Sequence, residues 1–333
     1  MGKPAIAIAR AIFPQIIERL QIHFEVLANQ SDELWSQPQM IEKLRGRAGL
    51  FATGTERIDA ALLSECPHLE ICANMSVGYN NFDLNAMSAA GVVGTNAPGV
   101  LTETTADFGF ALLMATARRV TESEHFLRGG HWTRWAYDLF AGAEVHGSTL
   151  GILGMGRIGQ GIARRGAHGF GMRVIYHNRS RLDAATEEQC KARFVGKEEL
   201  LRTADHLVLV LPYSAQSHHA IGAAEIALMR PGATLINIAR GGIVDDAALA
   251  AALKSGKLAA AGLDVFEGEP QVHPDLLTVP NVVLTPHIAS ATLPTRLAMA
   301  NLAADNLIAH FVNGMPLTPL NEVKRDRRPS DGR

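Results

Sequence analysis

The chain has 333 residues, enough for about two domains of ordinary size, and its 47% hydrophobic and 19% charged content excludes a disordered protein. A formal net charge of −2 leaves no broad basic field for nucleic acid or anionic lipid, and no uncharged apolar run is long enough to span a bilayer. Cys66, Cys72 and Cys190 form no CxxC pair and fit reduced thiols, and the opening MGKPAIAIARAIF lacks the pattern of a secretory signal, so a soluble, cytoplasmic protein is expected.

In chain order, the apolar runs PAIAIA (4–9), HFEVLA (23–28), RAGLFAT (47–53), LEICANM (69–75) and GVVGT (91–95) read as strands. The stretches IIERL, MIEKLR, IDAALLSE and LNAMSAA between them read as helices, and this alternation predicts a parallel sheet covered on both faces. One long helix is expected from Leu101–Thr102 to the stop signal Gly129–Gly130. The aromatic-rich segment 131–146, HWTRWAYDLFAGAEVH, reads as an arm that packs beyond its own sheet. A second alternating series follows: TLGIL (149–153), RVIY (173–176), LVLVL (207–211), ATLINI (233–238), LAAAGL (258–263) and VVLT (282–285). The last helical pattern, 295–312, comes after that sheet is complete and is expected to return to the first domain.

The expected fold is therefore α/β, with two doubly wound parallel-sheet domains and a cleft between them. The first domain takes residues 1–98 and 291–320, the second 99–290, and a basic tail, 321–333, with KRDRRP from Lys324 to Pro329, is expected to be disordered.

The strongest local signal is Gly154-Met155-Gly156-Arg157-Ile158-Gly159, because a strand ends at it and a helix begins within it. Gly154 permits the tight turn, Gly156 lets the backbone approach a pyrophosphate, and Gly159 allows close helix–strand packing. The helix N-terminus then offers N–H donors to the phosphates. An NAD site usually carries Asp or Glu about 20 residues further on. Here Asn178 lies 19 residues beyond Gly159, within His177-Asn178-Arg179-Ser180-Arg181, and no carboxylate precedes Asp183. Arg179 suits a 2′-phosphate, with Ser180 and Asn178 as further donors, so NADPH is expected to bind in preference to NADH.

Three strand ends in the second series carry polar groups: Arg240 in NIARGG, Asp264 through Glu269 in GLDVFEGEP, and His287 in LTPHI. Singly, these read equally well as a surface ion pair, a helix cap and a core histidine. Together they meet the needs of carbonyl reduction by hydride: a proton donor, an anchor for an oxo acid, and a group that holds the donor protonated. That chemistry calls for no metal.

NIARGG, GLDVFEGEP, TPHIAS and GMGRIG resemble the D-isomer-specific 2-hydroxyacid dehydrogenases, as do Met75–Asn81 (MSVGYNN) and Gly99–Asp107 (GVLTETTAD) upstream. The resemblance runs from about residue 5 to 318 and is greatest toward glyoxylate/hydroxypyruvate and 2-ketogluconate reductases, partly through the HNRS turn and the WTRW segment. It implies a flavodoxin-like substrate domain with a Rossmann domain inserted, and reduction of a small 2-oxo acid to a D-2-hydroxy acid. It also implies His287 as general acid, Glu269 as its partner, and Arg240 as the group that binds the carboxylate and polarises the carbonyl. Asp264 would face the nicotinamide carboxamide, and Thr105, Leu211, Pro212 and Ile238 would line the cofactor. The backbone at Val77 and Gly78 would take the substrate carboxylate, with Ser290 near its far end. Segment 131–146 would be a dimerisation arm, with Trp135 reaching a partner subunit's pocket in a homodimer. Asn80 and Ala289 depart from residues frequent in the family, and Ala289 would slightly narrow the pocket beside His287. Glu269 argues against formate dehydrogenases, which place Gln there. An NAD(P)-sensing, corepressor-like binding protein on the same fold is the remaining alternative.

Overall fold

In the computed structural model, which describes residues 2–323, the apolar runs form short strands that are all parallel to their neighbours. The chain divides into two compact units, one holding residues up to Leu101 and from Thr292 onward, the other Thr102–Ala291.

The first unit begins with β1 (Ala5–Ile8), α1 (Pro14–His23), β2 (Glu25–Ala28), α2 (Gln37–Leu44) and β3 (Gly49–Ala52). It continues with α3 (Ala60–Glu65), β4 (Ile71–Asn74), α4 (Leu84–Ala89) and β5 (Val93–Thr95). The helix starts follow local chemistry. Pro14 presets the first turn of α1, Ser36 and Gln39 form a capping box on α2, and Asp59 and Asp83 accept from Leu62 N–H and Ala86 N–H. The sheet order β2-β1-β3-β4-β5 is the flavodoxin-like one.

The second unit opens with α5 (Thr102–Ala117) and α6 (Val120–Arg128). Then come β6 (Thr149–Leu153), α7 (Arg157–Arg164), β7 (Arg173–His177), α8 (Ala184–Cys190), β8 (Ala192–Phe194), α9 (Lys197–Thr203) and β9 (His206–Leu209). The series ends with α10 (Ala223–Leu228), β10 (Ala233–Asn237), α11 (Asp246–Lys254), β11 (Leu258–Leu263) and β12 (Val282–Leu284). The order β12-β11-β10-β9-β6-β7-β8 is the doubly wound nucleotide-binding arrangement with one further strand at an edge. Because successive strand residues face opposite sides, Leu207, Leu209 and Leu235 enter one core, while Val208, Ile236, Leu150 and Ile152 enter the other with α5.

Three details differ from the sequence reading. The single helix expected over 101–128 is two, because Arg119 adopts a left-handed conformation (φ 54°) between them. Ala117 C=O accepts from Ala143 N–H there, and the Arg119 guanidinium pairs with Glu122 and lies 4.9 Å over the Phe140 ring. β8 escaped the reading because it is a three-residue edge strand without a continuous apolar run. Asn321, expected in the disordered tail, is held in place. The Asn321 carboxamide accepts from Gly94 N–H and donates to Val92 C=O and Ser88 Oγ. The basic run Lys324–Pro329 lies outside the described residues.

The final helix, α12 (Leu293–Asn313), packs on α1, β3 and β4. Asn306, fully buried within it, accepts from Leu317 N–H and Thr318 N–H and donates to Thr318 Oγ1 and Leu302 C=O. This one amide ties the 317–321 segment to the helix, and Leu320 N–H then donates to Gly94 C=O beside β5. Among the described residues no helix is long and apolar enough to cross a membrane.

Asn306→Leu leaves the two N–H groups of Leu317 and Thr318 without their acceptor, at a cost of about 1–3 kcal/mol for such buried groups. Urea unfolding should show that loss, and an unchanged midpoint would contradict the role given to this residue.

Candidate active site

The site is built on the C-terminal edge of the seven-stranded sheet, where ligands bind in open parallel sheets. β6 delivers the chain to Gly154, whose φ of 96° suits only glycine, and a Cβ there would lie 2.8 Å from the Leu211 backbone. A Cβ on Gly159 would lie 2.9 Å from Gly154 C=O, so α7 can approach the turn only without a side chain. At Gly156, the N-cap of α7, an added Cβ meets no protein atom within 4 Å. Two glycines are therefore crowded by protein, and the third faces open space at a helix N-terminus, as a dinucleotide phosphate requires. α5 packs on α7 so closely that a Cβ on Gly161 would come 2.8 Å from Ala106. Beside that contact the buried Thr105 hydroxyl has no hydrogen-bond partner among the described residues. The turn, the open space and this unmet hydroxyl fit a bound dinucleotide. Arg157 is exposed, Ile158 and Leu211 are half-buried, Pro212 is exposed, and Ile238 is buried in the core under α5.

At the end of β7 the Asn178 side chain turns back to the glycine turn. Asn178 Oδ1 accepts from Met155 N–H at 2.6 Å, and its Nδ2 donates to Met155 C=O at 3.4 Å. Its carboxamide braces the glycine turn. Arg179 and Ser180 are exposed beside it. The carboxylates that follow are also committed. Asp183 caps α8, and Glu187 accepts from both sides of the Arg181 fork and from Tyr176 Oη at 2.6 Å. Burial, reinforced by that bond to Glu187, pushes the Tyr176 phenol up to about 12.

Three strand ends bring the polar groups together. After β10, Asn237 Oδ1 accepts from Ala239 N–H and its Nδ2 donates to Arg240 C=O, setting the turn that presents Arg240. Gly241 is obligatory there, since a Cβ would fall 1.7 Å from Phe266 C=O. Burial lowers the Arg240 pKa and the Glu269 charge opposes that fall; the guanidinium stays charged at neutral pH.

After β11, Asp264 is 1% exposed, and its carboxylate takes three donors from the segment after β12. They are Thr285 Oγ1 at 2.7 Å, Ile288 N–H at 2.8 Å and Ala289 N–H at 2.8 Å. These bonds give Asp264 a structural role: its oxygens fix the loop that carries His287. Within that loop His287 has φ 54°, and its N–H donates to Thr285 C=O. His287 Nδ1 then lies 2.8 Å from Glu269 Oε2, while Glu269 Oε1 accepts from Phe266 N–H at 2.9 Å. Burial would raise the Glu269 pKa. The hydrogen bond and charge of His287, the Phe266 N–H and the Arg240 charge outweigh it and hold the carboxyl below its ordinary value. The imidazole is about half exposed, with Nε2 left for a ligand, and Ser290 is half-buried. Sequence reading missed Asn237 and Thr285. Their signal was modest: a short polar side chain one or two residues from a predicted catalytic group at a strand end.

In the first unit, Asn96 Nδ2 donates to Val77 C=O at 2.8 Å and Asn74 Nδ2 to Gly78 C=O at 3.0 Å. The carbonyls of this loop are thus taken up, and the N–H groups of Val77 and Gly78 have no partner among the described residues. In the arm, Phe140 is anchored against Phe126 with ring centroids 5.1 Å apart, but Trp135 and Tyr137 are 77% and 87% exposed.

A phosphate-ready glycine turn and an acid–base pair at one sheet edge define a dinucleotide-dependent oxidoreductase. Residues 110–289 match the family model described as D-isomer specific 2-hydroxyacid dehydrogenase, NAD binding domain. The chain is 46% identical to a glyoxylate reductase of Thermococcus gammatolerans, over 98% of this chain and 99% of that protein. Among solved structures it superposes on a glyoxylate reductase from Paecilomyes thermophila with a TM-score of 0.87, at 32% identity, over 96% of this chain and 99% of that one. It also superposes on an NADPH-dependent glyoxylate/hydroxypyruvate reductase from Sinorhizobium meliloti in complex with NADP and malonate. There the TM-score is 0.84 at 36% identity, over 96% of this chain and 97% of that one. The chain belongs to the D-isomer-specific 2-hydroxyacid dehydrogenase family, and its second unit is a nicotinamide-cofactor domain.

The Glu269 shift makes a signed prediction. A carboxyl whose folded pKa lies below its ordinary value of 4.5 contributes stability above that value, and the contribution fades as pH falls through the folded pKa. In melting curves from pH 7 to 3, Glu269→Gln should be less stable than the parent above about pH 5, and the gap should close on acidification. A gap that stays constant with pH would contradict the pairing.

Proposed function

We propose that the protein is a reductase of small 2-oxo acids, forming D-2-hydroxy acids with NADPH preferred over NADH. Glyoxylate and hydroxypyruvate are the favoured substrates, with 2-ketogluconate a longer candidate of the same class. The observation that carries the reading is the 2.8 Å pairing of His287 Nδ1 with Glu269 Oε2 beside the Arg240 turn. The bound nicotinamide supplies the hydride. His287 would give its Nε2 proton to the carbonyl oxygen, breaking Nε2–H and forming O–H as the C=O π bond opens and the carbon accepts the hydride. Ionised Glu269 holds the imidazolium and fixes the proton on Nδ1, which orients Nε2. Arg240 binds the carboxylate and stabilises charge developing on the oxygen. Val77 and Gly78, whose N–H groups have no partner among the described residues, are further proposed substrate contacts, as is Ser290.

Thr105, Leu211, Pro212 and Ile238 line the cofactor beside the turn of Gly154, Gly156, Arg157, Ile158 and Gly159. The NADPH preference rests on Arg179 and Ser180, exposed at the end of β7, together with the engagement of Asp183 and Glu187 elsewhere. Between the end of β7 and Asp183 the chain carries no carboxylate. The exposed Trp135 and Tyr137 of the arm support a homodimer, with Trp135 entering the partner subunit's substrate pocket.

Kinetics of two variants test the assignment. His287→Ala should lower kcat by roughly 100- to 10,000-fold with little change in NADPH affinity. Equal loss of both would make the histidine structural. Arg179→Ala should raise the KM for NADPH at least roughly tenfold, the value of one charge-assisted contact, and leave NADH use nearly unchanged. Equal effects on both cofactors would contradict the 2′-phosphate assignment.

A further inference from the structure

Outside the acid–base pair, the second unit holds another cluster with metal-ligand chemistry, made of His218 and His219 in the segment after β9 and Glu267 in the turn after β11. One donor atom from each residue lies within 4.8 Å of the others. His219 Nε2 is 2.8 Å from Glu267 Oε2, and His218 Nε2 is 4.0 Å from Glu267 Oε1. The two imidazoles are stacked, with centroids 3.9 Å apart and planes 22° from parallel.

We propose that His218, His219 and Glu267 form a binding site for a divalent transition-metal ion of the zinc type, which clips the 212–219 segment to the turn that carries Glu269. Ligand type is the first argument: two imidazoles and one carboxylate suit zinc, and bonds of about 2.0–2.1 Å at the tetrahedral angle place donor atoms roughly 3.3 Å apart. The observed separations of 2.8 and 4.0 Å lie on either side of that value, and one donor atom from each residue lies within 4.8 Å of the others.

Preorganisation is the second argument. Tyr213 Oη is 3.1 Å from His218 Nδ1. In the tautomer whose Nδ1–H donates to that oxygen, the lone pair sits on Nε2 and faces Glu267, the outer-shell arrangement common to metal-binding histidines. His219 adopts a left-handed backbone (φ 48°), costly for a non-glycine residue, and its N–H donates to Gly242 C=O at 2.7 Å. Gly242 makes the room, since a Cβ there would press to 3.1 Å from the Tyr213 ring and 3.4 Å from His218 Nδ1. The cluster is partly exposed, which gives the ion an entry path and leaves a fourth position for water.

The site is independent of the reductase reading and is tested without substrate. The chelator-treated full-length protein is titrated calorimetrically with zinc chloride, and the visible absorption of added cobalt(II) reports coordination. The expected result is one ion per chain, a melting temperature raised by zinc, and loss of both effects in His218→Ala and in Glu267→Gln. Tyr213→Phe, which touches no ion, should weaken binding by about tenfold. The circular-dichroism spectrum of each variant, matched to the parent's, confirms that it is folded. No saturable binding by the parent, or equal binding by the parent and both ligand variants, would overturn the proposal and leave His219–Glu267 as an ordinary surface ion pair.

Discussion

A carboxylate with almost no access to water has to collect donors, and Asp264 collects three of them from one short stretch of chain. Thr285, Ile288 and Ala289 converge on its two oxygens, and the backbone between them must fold tightly enough to let them. The result is a left-handed His287, a conformation that costs a non-glycine residue on the order of 1–3 kcal/mol and persists only where its surroundings over-determine it. From that position the imidazole meets Glu269, whose other oxygen is held by Phe266 N–H. Both partners are thus located by main-chain contacts, so the pair exists before any substrate arrives. A preorganised acid avoids the reorganisation a flexible one would need at the moment of reaction.

The same economy appears at the neighbouring strand ends. Asn237 shapes the turn after β10 that presents Arg240, and Asn178 braces the glycine turn after β6. In each case a short polar side chain at the sheet edge satisfies backbone groups that a strand would otherwise leave open. The parallel sheet itself supplies the rest. Its strands β6, β9, β10, β11 and β12 are adjacent, so the glycine turn, Leu211, Arg240, Asp264 and His287 emerge in sequence along one edge. Charge follows the same plan: Arg240 and His287 keep Glu269 ionised, and Glu269 in turn sustains the charge on Arg240 against burial.

Much of this was legible in the sequence because it depends on local rules. Apolar runs four to six residues long, separated by capped helices, announce doubly covered parallel strands, and the GMGRIG turn between a strand and a helix announces a phosphate site. Arg240, Glu269 and His287 stood out as polar groups where buried strands stop. What stayed hidden depends on partners far away in the chain. Arg119 breaks a helix that its own segment favours, because Phe140 and Ala143 meet it from the arm. Asn178 stood out by position, and only the folded turn shows that it also braces Met155. Asn306 and Asn321, which hold the last described residues to α12 and to the neighbourhood of β5, are ordinary asparagines in one dimension.

The central claim is that this edge is a proton-donating, carboxylate-anchoring site served by NADPH. Steady-state oxidation of NADPH and of NADH by the purified protein, followed by absorbance with glyoxylate, hydroxypyruvate, pyruvate and 2-ketogluconate, tests it most directly. The account predicts faster turnover with NADPH than with NADH, on glyoxylate or hydroxypyruvate, giving the D-enantiomer wherever the product is chiral. Tight NADPH binding with no turnover on any of the four would contradict it.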